Sequence, residues 1–489
     1  MVQVRQWVVT GVVLAVTGCG NGGSSGSGDP SEGGGTSGTG AGGSGDSGGS
    51  GGSGAGTGGV AITTPQSCAE RSAEIAAAAG NTIEVEPGSF GRVLVDGSET
   101  TLRQVVSDAS SGDTILLADG TYTFEEAPSG SYTGLYFTTG GISLRGASGD
   151  ASTVILDSGY ADHGGSTAAI TVDAPNTVLA DFTVKSSIFH LIHLQSNADG
   201  SVVHNVHLID GGQQFLKASG TEIDDVEVSC SQFVMTSEGR DNVWGYGDVD
   251  GGTTCYTGGI DTHDSRDWWV HDSYFDGIYC NPDGVERPAH DKKADERGNQ
   301  TYTGGLAEHA IHMWDAADGH GHVIERNRIV NCARGIGLGM ADEVYDTIIR
   351  NNMVFSEHPG SAEHDVGINV ERAHDTLVAN NTVFFAAADA YPNAIEYRWS
   401  STANLEVRNN LTNRLVRMRD GADAGTTASN NVEDADASWF EDVATGDLHL
   451  SSCDLAEVVG QGMALPSVSD DIDQDPRADA NDIGADQCE

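Results

Sequence analysis

The sequence predicts an all-β fold, a parallel β-helix in which the chain winds through stacked coils, and three observations carry that expectation. A short aliphatic segment ending in Asn or Asp recurs, with its acid or amide at Asp181, Asn205, Asp225, Asp272, Asn327, Asn351, Asn380 and Asn409. Most of these are one coil of 20–29 residues apart, and the two longer gaps are a coil plus an insertion. A second segment, apolar-X-apolar, precedes them, as in Ile192-His-Leu194, Leu216-Lys-Ala218, Ile260-Asp-Thr262, Ile311-His-Met313 and Ile368-Asn-Val370. Alternation with period two sends the flanking residues one way and X the other, which no helical period does.

Taken in chain order, the first element is a targeting segment. Arg5 is followed by the mostly apolar stretch Trp7 to Val16, too short to span a membrane, and then by Val16-Thr-Gly-Cys19. This resembles a bacterial lipobox, which implies lipidation at Cys19, removal of residues 1–18 and an outer-membrane or cell-surface location. Residues 20–60 hold 21 Gly and 9 Ser, a composition that buries nothing and acts as a flexible tether. Residues 61–100 form an N-terminal segment. Leu102, Val105, Val106 and Ala109 then lie on one face of a short helix suited to plug the open end of the coil stack, and Thr114 to Leu117 starts the first strand. Coils follow over 101–430, interrupted by insertions at 231–258 and 277–308, and residues 431–489 read as a C-terminal cap.

The segment Thr101-Leu-Arg-Gln-Val-Val to Gly120-Thr-Tyr-Thr123 resembles the opening of the right-handed parallel β-helix, or pectate-lyase-like, superfamily. The acidic tail Asp471-Ile-Asp-Gln-Asp to Ala485-Asp486 resembles endings of anchored bacterial β-helix proteins. The resemblance covers residues 85–489 and implies a single-stranded right-handed solenoid with an N-terminal capping helix. It says little about activity, since one scaffold hosts many.

The chain has 24 basic and 72 acidic residues, a formal charge of −48, which excludes nucleic acid as a partner because phosphate binding needs a basic surface. After Cys19, seven cysteines remain: Cys68, Cys230, Cys255, Cys280, Cys332, Cys453 and Cys488. Their number is odd, so at least one is free or paired elsewhere. Cys453 with Cys488 is a plausible staple for the tail. With no CxxC, a zinc site is not expected.

The X residues should stack along the outside at about 4.8 Å per rung. In order they are Thr171, His193, Lys217, Asp261, His312, Gly337, Asn369, Glu396 and Arg417. A solvated polar face would also tolerate such residues, but His, Lys, Asp and His as neighbours point to chemistry. Two residues on, Trp314, Glu371, Arg398 and Arg419 face the same way. The insertions bring aromatic residues beside this file, together with Lys292 and Lys293, two of only four lysines. These read either as a solvated charge run or as a positive lid over an acidic substrate.

A long groove suits an extended polysaccharide bound by a monomer. Elimination from a uronate needs the carboxylate neutralised, a base for the α-proton and an acid for the leaving oxygen. His193, Lys217, Asp261 and His312 are the candidate catalytic residues, with Arg334 as carboxylate binder; Trp314, Lys292, Lys293, Arg398, Arg417 and Arg419 are candidate substrate contacts. Resemblance to alginate-lyase and chondroitinase-B-like lyases implies Ca²⁺ on Asn369, Glu371 and Glu396, although the lysine base of that family has no counterpart near Glu396. A glycoside hydrolase would need two close carboxyls; Asp261 and Glu396 lie too many rungs apart, while Asp261 with Asp264 or with Asp315 stays open. The other class is a non-catalytic surface adhesin or glycan-binding module, which the anchor, tether and acidity fit equally.

Overall fold

The computed structural model describes residues 67–77, 80–89, 91–124, 134–161, 168–243, 255–281, 306–340, 342–360, 364–477 and 481–488. Cys19, the tether, Lys292, Lys293, residues 244–254 of the first insertion and residues 282–305 of the second lie outside them. The described chain is an all-β right-handed parallel β-helix. Its apolar-X-apolar segments form one ten-stranded parallel sheet, from Leu135–Phe137 to Leu415–Met418. Ile192, Leu216, Ile260, Ile311, Ile336, Ile368 and Ile395 stand over one another in register, all fully buried in one apolar core. Each rung extends a ladder that its neighbour has already desolvated, so the stack is stabilised between nearest neighbours.

A 22-stranded sheet and two short two-stranded parallel sheets, Ile223–Asp224 with Ser265–Arg266 and Val344–Tyr345 with Ala373–His374, form the rest of the wall. In the 22-stranded sheet each coil turns through a residue in the left-handed region, including Asp181, Asn205, Asp272, Asn351, Asn380 and Asn409. Asn and Asp tolerate this conformation best because their side chains bond locally. On two rungs the corner is not the residue expected from sequence. The register His204 with Ser229 puts Cys230 (φ 52°) at the turn, and His271 with Glu325 puts Arg326 (φ 52°) there. Asp225 instead turns a different corner beside Asp267, and Asn327 comes one residue after the turn.

That one-residue position is a second column. Asn352 accepts from the Asn327 amide N–H at 3.0 Å, Asn381 from Asn352 at 3.1 Å, Asn410 from Asn381 at 3.0 Å and Asn431 from Asn410 at 2.9 Å. Asn327, Asn352, Asn381 and Asn410 are fully buried. Each side chain satisfies backbone groups that a wide turn would otherwise orphan.

The helix Leu102–Asp108 buries Leu102, Val105 and Val106 and is capped by the Thr101 hydroxyl, which accepts from Gln104 N at 3.1 Å. Thr114–Leu117 is not the first strand: Thr82–Pro87 pairs with it in parallel one rung earlier, and the antiparallel ribbon Arg92–Val95 and Ser98–Thr101 is attached there. The helix Cys68–Ala77 is held to the coils by the Cys68–Cys230 disulfide and by Arg71 donating to Glu227 at 2.9 Å. Cys255–Cys280 and Cys453–Cys488 are the other disulfides, and Cys332 is a buried free thiol.

The C-terminal segment is a strap along the flank rather than a lid on the end. Its anchoring points are the left-handed corners. Arg326 donates to Asp470 at 3.1 Å, Asn351 to the Asp470 carbonyl at 2.9 Å, Asn380 to the Asp482 carbonyl at 3.0 Å, and Asn409 accepts from Met463 N at 3.0 Å. Its apolar side covers Val330, Met353, Phe355, Phe384 and Leu411. Among the described residues no helix is long and apolar enough to cross a membrane.

His322 is fully buried between two coils, accepting from Trp268 N at 3.2 Å through Nδ1, while Nε2 lies 2.8 Å from the Asp315 carbonyl, its acceptor. That pattern needs the neutral ring, and burial lowers its pKa from 6.5 to about 4. The folded value is depressed, so the stabilisation is complete above pH 6.5 and is lost as pH falls towards 4. A displacement of this size is worth about 3 kcal/mol. Unfolding by urea at pH 7 and pH 4 should therefore show wild type losing about 3 kcal/mol more than His322→Gln, whose amide keeps both bonds without titrating. Equal losses in the two proteins would refute this account of His322.

Candidate active site

The file of X residues stands in register along the outer face of the ten-stranded sheet. Thr171 pairs with His193, His193 with Lys217, Lys217 with Asp261, Asp261 with His312, His312 with Gly337, Gly337 with Asn369, Asn369 with Glu396 and Glu396 with Arg417. They are not, however, an open polar floor. His193, Lys217, Asp261 and His312 are 8%, 7%, 3% and 2% exposed, so a surface kept polar for solubility does not describe them.

Asp261 is the hub. Lys217 Nζ donates to its Oδ2 and Trp314 Nε1 to its Oδ1. His263 Nε2 lies 3.6 Å from Oδ2, and His312 Nδ1 lies 3.6 Å from Oδ1. Burial alone would raise this carboxyl, but the Lys217 ammonium, with His263 beside it, holds it far below the usual carboxylate range. Burial keeps His312 neutral by lowering its pKa, against the pull of Asp261. His312 Nε2 lies 2.9 Å from the Gly339 carbonyl, to which it donates, so Nδ1 carries the lone pair. The Trp314 ring sits between His263 and His312, with ring centres 4.4 and 5.0 Å away. On the rung before Lys217, His193 Nε2 lies 2.7 Å from Ser219 Oγ, and the His190 ring is 5.3 Å from that of His193.

Arg334 is placed at the edge of this cluster, 3.7 Å from Glu308 and 3.6 Å from Asp365. Burial raises the pKa of both carboxyls. Sequence reasoning missed Glu308 and Asp365; His263, two residues on from Asp261 in the outward file, and His309, three residues before His312, were legible in the repeat, and the set His190, His193, His309 and His312 was open to metal binding. The His-x-x-His spacing recurs at His190/His193 and His309/His312, and in the second case His309 opens the strand His309–Met313, three residues before the outward His312.

The residues further along the sheet do not join the cluster. Arg398 is paired with Glu371 at 3.2 Å and with Asp420 at 2.8 Å, and Arg419 with Glu396 at 2.9 Å; Arg417 alone is exposed. The expected bare positive stripe is therefore mostly neutralised within the protein. The same pairs bear on the calcium set. Glu371 also accepts from Asn369 at 3.1 Å and Trp399 at 3.0 Å, and Glu396 from Asn393 at 2.7 Å and Tyr391 at 3.1 Å. With both carboxylates facing guanidinium groups, Asn369, Glu371 and Glu396 do not fit a Ca²⁺ site, which needs free oxygen ligands.

Neither a protein-family model nor a curated protein matches the chain. Among solved structures, it is similar to pectate lyase Pel9A at 15% identity, covering 84% of this chain and 97% of that one with a TM-score of 0.44. It is similar to XylC in complex with xylose at 9% identity, covering 83% and 98%, TM-score 0.46. A polygalacturonase from Erwinia carotovora matches at 13% identity over 73% of this chain and 96% of its own, TM-score 0.37.

Proposed function

We propose that the protein acts on an acidic polysaccharide outside the cytoplasm, as a lyase cleaving uronate-containing glycan by β-elimination at the His193–Lys217–Asp261–His312 file. The observation that carries this reading is the juxtaposition, on consecutive rungs, of an imidazole, an ammonium and the buried carboxylate that holds it. In this reading Lys217, held in place by Asp261, protonates the leaving oxygen, His193 accepts the α-proton one rung away, and Arg334 binds the uronate carboxylate. Three disulfides support an oxidising compartment, and the lipobox-like segment with its Gly/Ser tether supports attachment at the cell surface.

The near-complete burial of the file favours a second reading, a non-catalytic glycan-binding module in which Lys217–Asp261 is a structural pair. One experiment separates the two. Residues 61–489 are incubated with a panel of uronate-containing and neutral glycans, and unsaturated ends are followed by absorbance. The lyase reading expects new unsaturated ends on at least one uronate polymer and loss of that signal in His193→Ala. Glycan retention without any unsaturated product would leave the binding module.

A further inference from the structure

Beside the file, and sharing His312 with it, lies a second group of ligating side chains to which the lyase reading gives no role in the elimination. Glu308, His309 and His312 each offer a ligand atom within 4.8 Å of the others. His309 is 5% exposed, and neither of its ring nitrogens has a hydrogen-bond partner among the described residues. An imidazole left so deep without a partner loses the bonds it had in water and gains none. Its position is also built rather than incidental. Gly337 is the one rung of the file without a side chain, and a Cβ there would stand 2.6 Å from His309 Nε2. The space above Gly337 is filled by the His309 ring.

The neighbouring groups are arranged for the same end. His312 Nδ1 also lacks a hydrogen-bond partner among the described residues, while its Nε2 is fixed by the Gly339 carbonyl at 2.9 Å. An imidazole whose far nitrogen is held by a carbonyl presents the other as a ligand in a set orientation. Glu308 meets Arg334 only loosely, at 3.7 Å, which leaves carboxylate oxygen for another partner. The two His rings are 4.5 Å apart. The nearby Lys217 cation is neutralised by Asp261, so it does not stand unbalanced against a cation.

We infer that Glu308, His309 and His312 form a three-ligand site for a divalent cation of the Zn²⁺ type, with an open position towards the outer face of the sheet. Two imidazoles and one carboxylate suit zinc and its first-row neighbours, and they disfavour Ca²⁺, which takes oxygen ligands. The other cluster of this kind among the described residues, His449, Asp473 and Asp486, is already closed, since His449 Nε2 lies 3.0 Å from Asp473 and Nδ1 is bonded to Asp447.

The test is calorimetric titration of chelator-treated 61–489 protein with Zn²⁺, with Co²⁺ as the spectroscopic probe. One Zn²⁺ per chain is expected, together with visible d–d bands from Co²⁺ that Zn²⁺ abolishes and millimolar Ca²⁺ does not. Affinity should fall about 100-fold or more in His309→Gln and Glu308→Gln, and also in Gly337→Ala, which keeps every ligand but displaces the His309 ring. His449→Gln should bind like wild type. No stoichiometric binding, or full binding by a His309→Gln protein whose circular dichroism matches wild type, would overturn the assignment. Because the readout is metal binding alone, a glycan panel without turnover leaves this result untouched, and absence of metal leaves the lyase reading to its own test.

Discussion

Replacing Asn381 by leucine is expected to destabilise the protein by about 4 kcal/mol. The Asn381 side chain donates to the Ile349 carbonyl at 3.0 Å, the Ala379 carbonyl at 3.1 Å and Asn410 Oδ1 at 3.0 Å. Its own oxygen accepts from Asn352 N at 3.1 Å and Asn352 Nδ2 at 2.9 Å. All of this is sealed from water, so leucine of similar volume fills the space and still strands a buried N–H and two carbonyls. Each orphan costs about 1–3 kcal/mol, reduced where a carbonyl keeps another donor. Two companions make the expectation specific. Asn431, at the end of the column, is only half-buried, and water can replace its bonds, so Asn431→Ala should cost about 1 kcal/mol. Asn381→Ser should fall between, because serine already fills this column on earlier rungs: Ser231 accepts from Val206 N at 3.1 Å and Ser273 from Ser231 N at 3.2 Å. Guanidinium unfolding followed by circular dichroism ranks the three. An Asn381→Leu protein no less stable than Asn431→Ala would remove the column from the list of what holds the coils together.

The same column shows what sequence reasoning reaches and where it stops. The ten-stranded sheet was legible because alternation forces aliphatic residues inward on every rung, and a slip of one residue would turn the whole ladder out. The corner column was legible only where Asn or Asp occupies it. Cys230 and Arg326 take the left-handed conformation because distant partners hold them, Cys68 through a disulfide and Asp272 and Asp470 through ion pairs. Those contacts cross 162 residues for Cys230 and are invisible to local pattern. The Asn-Asn pairs at 351–352, 380–381, 409–410 and 430–431 were in view, but telling which member turns and which bonds inward needs the register. In the site, the order His193, Lys217, Asp261, His312 followed from the repeat. Burial did not, since it depends on what packs over the sheet; nor did the neutralised arginines, whose partners Glu371, Glu396 and Asp420 sit on other rungs.

Removing Lys217 is the change with the largest expected effect on function. In the lyase reading Lys217→Met should lower turnover by about 10²–10⁴-fold, the range for loss of a positioned proton donor. The substitution also leaves Asp261 as a buried carboxylate without its ammonium, which by itself costs about 3–5 kcal/mol. Activity and stability therefore have to be separated, and the pair allows it. In Lys217→Met/Asp261→Leu both charges are gone, so stability should return to within about 1–2 kcal/mol of wild type while turnover stays lost. A structural pair behaves differently: the double variant would recover glycan handling along with the fold. The single variant carries a further signature. His312 Nδ1, 3.6 Å from Asp261 Oδ1, then faces the carboxylate without the ammonium beside it. Without Lys217, which now disfavours its protonation, His312 should take up a proton and its folded pKa should rise. A raised folded value stabilises at low pH and is lost as pH rises, so the deficit of Lys217→Met should be smaller at pH 6 than at pH 8. Unfolding midpoints at the two pH values measure this, and a deficit that is constant or grows on acidification would show that His312 does not share the Asp261 charge.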